Sequence, residues 1–148
     1  MSEYTFEVAR TITAPSAKLH AIVADYRVGH PSILPRPPFG ELVVEEGGIG
    51  AGTVIRFELK LGGKWHTTRV RITEPQPGVQ LDESDLAGNF VTSYFFESLS
   101  PAETRLTIRT VARTRAGGIA GWLERLFTPR LLKPVYEREL DLLTAKVR

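Results

Sequence analysis

Cysteine is absent from this 148-residue sequence, and histidine occurs only three times, as His20, His30 and His66. Without thiols the chain can form neither a disulfide nor a thiolate metal site, and it has no cysteine nucleophile. Three histidines this far apart in sequence do not suggest a dedicated metal site. We therefore predict no metal and no cofactor.

Long apolar runs are also missing. No stretch approaches the length that a membrane-spanning helix needs, and the first residues do not begin a charged and then apolar signal segment. The hydrophobic fraction of 42% and the charged fraction of 24% are those of a globular protein. We expect one domain over residues 1–148, located in the cytoplasm and without a transmembrane segment.

Acidic residues are scarce towards the C-terminus. The net charge is only +2, but residues 101–148 carry ten basic and five acidic side chains, against nine and twelve in residues 1–100. Such an excess most often lies on a solvated face. No basic run has interleaved aromatic residues, so we predict no nucleic-acid partner. The oligomeric state stays open, with a homodimer among the alternatives.

Most of the chain alternates between apolar and polar residues, which is typical of half-buried strands. Residues 53–61 are the clearest case, because Ile55, Phe57, Leu59 and Leu61 share one face and charged residues occupy the other. Turns rich in glycine or proline separate these runs. The predicted strands are residues 4–13, 41–46, 53–61, 64–73, 79–83, 90–99 and 104–115.

Two segments have a helical period. A short helix is predicted to begin at Pro15 and to end near Asp25. Residues 26–39 contain four prolines and predict a wrapped loop with one helical turn. Residues 117–148 predict a long helix, whose two prolines indicate a break or bend within residues 128–134.

The expected role of the long helix is to cover the dry face of the sheet. Residues 119–127 are predicted to act as a movable flap, while residues 135–147 stay anchored. We expect Trp122 and Phe127 to pack on the sheet. The alternative is a membrane-surface patch formed with the nearby arginines.

This order of elements predicts an α+β fold, in which a curved antiparallel sheet of six or seven strands wraps around a long C-terminal helix. The segments ARTITAPSAKLHAIVADY, HPSILP, GGIGAGT, FFESLSP and LLKPVYERELDLLTAKV resemble, in this order, the START-like and polyketide cyclase (SRPBCC) superfamily with its helix-grip fold. The resemblance covers the whole chain. It implies a cavity between helix and sheet that binds a lipid, polyketide-like or aromatic molecule, and in a minority of members catalyses cyclisation, dehydration or hydrolysis.

Strand parity supplies the candidate site. His66 shares a face with Val70 and Ile72, so we expect it to point inward, where an imidazole can transfer protons near neutral pH. Tyr94 could orient a ligand oxygen, if the strand over residues 90–99 points its even-numbered residues inward rather than its odd-numbered ones. The predicted ligand-binding side chains are Phe57, Leu59, His66, Thr68, Tyr94, Phe96, Ile108, Thr110, Leu123, Phe127, Leu131 and Val135.

A few other polar residues are expected near the cavity. Glu83 has inward parity, although it lies close to a strand end. Tyr26 and His30 lie in the proline-rich segment, where a cavity mouth would be. Asp25 also lies there, and a turn contact at the helix end is the favoured interpretation for it.

Three functions remain open. The first is binding of a hydrophobic small molecule in the cavity. The second is a cyclase or dehydratase type of enzyme, in which His66 moves a proton and Tyr94 or Thr68 holds an oxygen. The third is a partner-binding module that uses Trp65 or the arginines on the outer sheet face. The sequence alone does not decide whether the protein is an enzyme.

Overall fold

The computed structural model describes residues 2–148, and its strands and helices follow the predicted order. The strands are β1 (Glu3–Ile12), β2 (Phe39–Glu46), β3 (Val54–Leu61), β4 (Lys64–Gln76), β5 (Gln80–Asp85), β6 (Phe90–Ser100) and β7 (Glu103–Arg113). The helices are α1 (Ser16–Val23), α2 (Gly29–Ile33) and α3 (Gly118–Lys146).

All seven strands form one antiparallel sheet in the order β1-β7-β6-β5-β4-β3-β2. After β1 the chain crosses to the far edge through α1 and α2, and it then returns strand by strand to pair β7 with β1. Direct partners such as Leu81, Tyr94, Ile108 and Val8 form a row across four neighbouring strands. The predicted α+β helix-grip fold is confirmed.

The inner face of the sheet carries the core. Ile72, Leu81, Leu106 and Ile108 are buried almost completely. In β6 the even-numbered residues Thr92, Tyr94 and Phe96 point inward and are buried, so the first of the two predicted parities is right. Alternation also predicted the inward faces of β3 and β4 correctly, since Ile55, Val70 and Ile72 are buried.

The proline-rich segment is more deeply packed than a surface loop. Tyr26, His30 and Ile33 are buried, and α2 supplies the predicted helical turn. Gly29 allows α2 to approach α1, because a Cβ at this position would lie 2.4 Å from the carbonyl oxygen of Ile22. The segment thus forms part of the interior wall.

The predicted break in the long helix is absent. Helix α3 runs without interruption from Gly118 to Lys146 and contains both Pro129 and Pro134. Pro134 has no N–H to offer the carbonyl of Arg130. Since both residues are exposed, water can satisfy that carbonyl and the helix continues past the proline.

Helix α3 covers the sheet with only part of its length. Its C-terminal half buries Val135, Leu140 and Leu143, and no helix within residues 2–148 is long and apolar enough to cross a membrane. Trp122 and Phe127, by contrast, are 57% and 47% exposed. Our expectation that these two aromatic residues pack on the sheet is wrong, because this part of α3 borders an open cavity.

Candidate functional site

A cavity of about 1070 Å³ lies between α3 and the inner face of the sheet. Its volume is at the upper end of the range of small-molecule pockets. Most of its wall is apolar, and the larger apolar side chains are Phe6, Leu34, Phe39, Leu42, Ile55, Phe57, Leu59, Phe90 and Leu132. The cavity can therefore surround the body of an apolar ligand.

Polar side chains line both the exposed and the buried parts of the cavity wall, and those in the buried part contact one another. They form three hydrogen-bonded groups on β5, β6, β7, α2 and α3, and they contrast with the exposed residues His66 and Leu131 at the mouth. These buried residues are His30, Glu83, Thr92, Tyr94, Thr110, Tyr136 and Glu139.

The first group is a carboxyl and a phenol that are hydrogen-bonded to each other on the cavity wall. Glu139 on α3 is only 2% exposed, and the Tyr94 hydroxyl on β6 donates a hydrogen bond to its Oε1. Within residues 2–148, Tyr94 is the only hydrogen-bond partner of the Glu139 side chain, and no fully buried side-chain N or O lacks a partner. The second carboxyl oxygen must therefore border the cavity.

Burial changes the protonation of both partners. Removal of Glu139 from water raises its pKa to about 8, and the nearby charge of Glu83 acts in the same direction, while the hydrogen bond from Tyr94 opposes the shift. Burial, followed by the charge of Glu139, also raises the pKa of Tyr94 well above its usual value. Glu139 is thus mostly a neutral acid at pH 7.

The second group is built around Glu83. The Tyr26 hydroxyl donates to Glu83 Oε2 over 2.6 Å, and His30 Nε2 lies 3.5 Å from the same oxygen. His30 Nδ1 lies 2.7 Å from the carbonyl oxygen of Val23. Since a carbonyl can only accept, Nδ1 carries a hydrogen, and Nε2 is the nitrogen that faces the carboxylate.

Aromatic contacts connect the two groups. The rings of Tyr26 and His30 stack with centroids 4.4 Å apart. The rings of His30 and Tyr94 are arranged edge to face, with centroids 5.6 Å apart. The pKa of Tyr26 is also raised well above its usual value, mainly by burial and next by the charge of Glu83. The two carboxyl groups therefore belong to one buried cluster.

The third group is a chain of hydroxyls. Thr92 and Thr110 are 2.8 Å apart at their Oγ1 atoms, and Thr110 Oγ1 is 2.7 Å from the Tyr136 hydroxyl. Burial raises the pKa of Tyr136 to about 12. These neutral groups can exchange hydrogen bonds with a ligand oxygen without placing a charge in the cavity.

The predicted ligand-binding residues divide into two sets. Seven lie on the cavity wall, namely Phe57, Leu59, His66, Thr68, Tyr94, Thr110 and Leu131. The remaining five lie elsewhere. Phe96 and Ile108 are packed in the core, Leu123 and Phe127 are on α3 and exposed, and Val135 is on α3 and buried.

His66 lies on the cavity side of β4, opposite Leu59 of β3, as its parity predicts. It is exposed, however, because the end of the β3–β4 hairpin extends beyond the part of the sheet that α3 covers. Asp25 makes the expected turn contact by accepting hydrogen bonds from the backbone N–H groups of Arg27 and Val28.

Sequence reasoning missed Glu139, although its spacing contains the signal. Glu139 lies four residues after Val135 and three after Tyr136, on the face of α3 that Leu140 and Leu143 also occupy. A carboxylate at such a position is expected to be buried.

Metal ligation has no support from the arrangement of side chains. Within residues 2–148, no three histidine, aspartate or glutamate side chains come close enough together to hold a metal ion. Three arginines of the sheet form ion pairs with carboxylates: Arg56 and Arg69 contact Glu45, and Arg109 contacts Glu7. The deep polar cluster is therefore the strongest candidate for chemistry.

Residues 3–148 match the family described as "Polyketide cyclase / dehydrase and lipid transport". Among curated proteins, no sequence matches the chain significantly.

Solved structures share the fold at low sequence identity. The solution structure of KanY protein superimposes with a TM-score of 0.84 at 24% identity, over 99% of both chains. The ZhuI aromatase/cyclase from Streptomyces sp. R1128 has a TM-score of 0.80 at 20% identity, over 98% of this chain and 93% of the other. A START superfamily protein from Mycobacterium smegmatis has a TM-score of 0.72 at 13% identity, over 97% of each chain.

Proposed function

Because the chain belongs to the polyketide cyclase, dehydrase and lipid transport family, we propose that it binds a hydrophobic small molecule in its cavity. The observation that carries this proposal is a space of about 1070 Å³ with apolar walls and one buried polar cluster. Apolar walls with few polar groups are typical of sites that hold a ligand by burial and orient it by hydrogen bonds. An aromatic, polyketide-like or lipid molecule has this combination of properties.

The polar cluster indicates how such a ligand would be oriented. Its apolar body would lie against Phe57 and Leu59, and a carbonyl or hydroxyl oxygen would reach the free carboxyl oxygen of Glu139. With a pKa of about 8, Glu139 is protonated at pH 7 and can donate a hydrogen bond. A ligand carboxylate would fit less well, because it would add charge beside Glu83.

A fluorescence titration with N-phenyl-1-naphthylamine, an uncharged aromatic probe, tests the binding. We expect saturable binding that aromatic ketones displace. The substitution Leu59→Glu places a charge on the cavity wall and should weaken binding at least roughly tenfold, which corresponds to about 1.4 kcal/mol. Leu99→Glu is the matched control, because Leu99 is 47% exposed and lies outside the cavity wall.

Equal affinity of the two variants would mean that the probe binds outside the cavity. Absence of saturable binding to the unaltered protein would count against the proposed function itself.

An acid–base enzyme of the cyclase or dehydratase type is the second candidate. The raised pKa of Glu139, next to an open cavity, is the observation that favours it. A protonated carboxyl could donate its proton to a ligand oxygen as that oxygen leaves or becomes a hydroxyl. Turnover should then be lost in Glu139→Gln, while probe binding is retained.

His66 and Tyr94 remain proposals as catalytic groups. His66 lies at the mouth, where it could reach only a ligand that extends out of the deep part of the cavity. Activity that survives His66→Ala would remove His66 from the mechanism. A location in the cytoplasm and the absence of a nucleic-acid partner likewise remain predictions, and the oligomeric state stays open, with a homodimer among the alternatives.

A further inference from the structure

Helix α3 exposes a row of large apolar side chains beside the cavity mouth. Ile119, Leu123, Phe127 and Leu131 are spaced four residues apart and lie along one side of the helix, with Trp122 next to them. Their exposed fractions are 79%, 39%, 47%, 47% and 57% in that order. We call these five side chains the α3 patch.

The α3 patch ends where the part of α3 that covers the sheet begins. Further along the same helix, the outward positions are charged: Glu137 and Asp141 both form ion pairs with Arg10. Leu131 belongs to the patch and also lines the cavity. Its neighbours Thr128 and Leu132, which are not part of the patch, line the cavity as well. Apart from Leu142, the exposed large apolar side chains of α3 therefore lie in the part of the helix at the mouth.

Basic residues predominate in the segment of the chain that contains the α3 patch. Residues 113–133 contain five basic side chains, Arg113, Arg115, Arg125, Arg130 and Lys133, and a single acidic one, Glu124. Glu124 is occupied within the fold, since it accepts hydrogen bonds from the Tyr4 hydroxyl and from the backbone N–H of Arg115. The guanidinium of Arg130 lies 5.9 Å from the Phe127 ring centre.

We propose that the α3 patch docks on the surface of a bilayer that contains anionic lipids. Exposed Trp, Phe and Leu side chains flanked by Arg and Lys are the composition of helices that lie in the membrane interface. The basic side chains would approach the lipid phosphates, while Trp122 and Phe127 enter the boundary with the acyl chains. The cavity mouth would then open towards the bilayer.

Charge argues against a second copy of this chain as the occupant. Two copies joined through the α3 patch would bring their five basic side chains against one another, with one partly satisfied acid each. Such like-charge contact opposes association. The docking proposal is independent of the proposed ligand, because binding to vesicles can be measured without any ligand.

Fluorescence of Trp122 provides the first test. The chain has two tryptophans, so Trp65→Phe leaves Trp122 as the only reporter. Vesicles of phosphatidylcholine with about 30% phosphatidylglycerol should shift its emission to shorter wavelength, and added salt should reverse the shift. Unchanged emission, or an equal shift with pure phosphatidylcholine in high salt, would contradict anionic docking.

Co-sedimentation with the same vesicles provides the second test. Leu123→Ser lies in the α3 patch, and Leu142→Ser lies outside it on the same helix; the two leucines are 39% and 40% exposed. Leu123→Ser combined with Trp122→Ser should weaken binding at least roughly tenfold, and so should Arg130→Gln combined with Lys133→Gln. Leu142→Ser should bind like the unaltered protein.

Three outcomes would overturn the proposal. An equal loss of vesicle binding in Leu123→Ser and Leu142→Ser would show that the α3 patch is not the surface that contacts the bilayer. Binding to soluble polyglutamate without binding to vesicles would indicate an acidic protein as the partner. A dimer that Leu123→Ser dissociates would indicate a second copy of the chain. Thermal melts of all variants establish that each one is folded.

Discussion

Glu139 illustrates how a single buried carboxyl can acquire the properties of a neutral acid. Among residues 2–148 no cation contacts it, and the one hydrogen bond to it comes from a phenol that cannot compensate for the loss of water. Protonation is then less costly than burial of a charge. The same physics that makes Glu139 a candidate hydrogen-bond donor also makes it a source of instability at high pH.

We predict that Glu139 makes the stability of the protein pH-dependent. Burial raises its pKa from 4.5 to about 8, so between these values the folded protein holds a proton that the unfolded chain has released. The free energy of unfolding must therefore fall as the pH rises through this window. Between pH 5 and pH 9, the unaltered protein should lose roughly 3–5 kcal/mol more than Glu139→Gln, as measured by urea unfolding.

Glu137→Gln is the control for this experiment. Glu137 lies on the same helix but is exposed and forms an ion pair with Arg10. Its removal should leave the pH dependence intact, since an exposed ion pair contributes little. If Glu139→Gln follows the same pH profile as the unaltered protein, Glu139 is not the group that titrates.

At the residue scale, sequence reasoning recognised the direction of a side chain better than its depth. Parity placed His66 on the cavity side, where the structure has it, and allowed the same side for Tyr94 as one of two alternatives. Alternation carries no information on how far α3 extends over the sheet, so it could not distinguish exposed His66 from buried Tyr94. Depth is set by contacts between elements that are distant in sequence.

Helix α3 shows that a proline is a local signal whose effect depends on its surroundings. Proline removes one backbone donor and favours a helix end when the freed carbonyl would be buried. In α3 the carbonyl of Arg130 can face water, so the helix passes through Pro134. The two halves of α3 still differ, because only the second half buries a continuous apolar row.

This difference predicts unequal opening of the two halves. Residues 119–127 expose Ile119, Trp122 and Phe127, whereas residues 135–147 bury Leu140 and Leu143. Fewer buried contacts allow local opening at lower free energy. After correction for intrinsic rates, amide hydrogen exchange should be at least roughly tenfold faster in 119–127 than in 135–147.

The predicted break in α3 would have formed at its prolines, but the flap motion does not require a proline hinge. Equal protection of the two halves would show that α3 opens as one unit and would contradict a flap. Slower exchange of 119–127 in the presence of anionic vesicles, with no change in 135–147, would in addition place the protected segment at the membrane.

For the whole molecule, the architecture could be predicted because local and long-range signals agree. Alternating runs, most of them separated by tight turns, allow an antiparallel meander, and one long helical segment is available to cover it. The pairing of β1 with β7, which lie at opposite ends of the sequence, follows once the chain has crossed to the far edge of the sheet. The shape of the interior could not be predicted from the sequence, because a cavity remains where side chains of distant elements do not fill the space between them.

The cavity couples ligand binding to the stability of the whole fold. Only the folded chain brings Phe57 of β3, Tyr94 of β6 and Glu139 of α3 to one cavity, so a ligand held there binds the folded state alone. Saturation with N-phenyl-1-naphthylamine at about 100 times its Kd should raise the free energy of unfolding by about 2.7 kcal/mol. For a domain of this size, Tm should rise by roughly 5 °C or more. Thermal unfolding followed by circular dichroism measures this shift.

Leu59→Glu should lose the shift at the same probe concentration, whereas Leu99→Glu should keep it. A shift that persists in Leu59→Glu but disappears in Trp122→Ser would mean that the probe stabilises the protein from the α3 patch and not from the cavity.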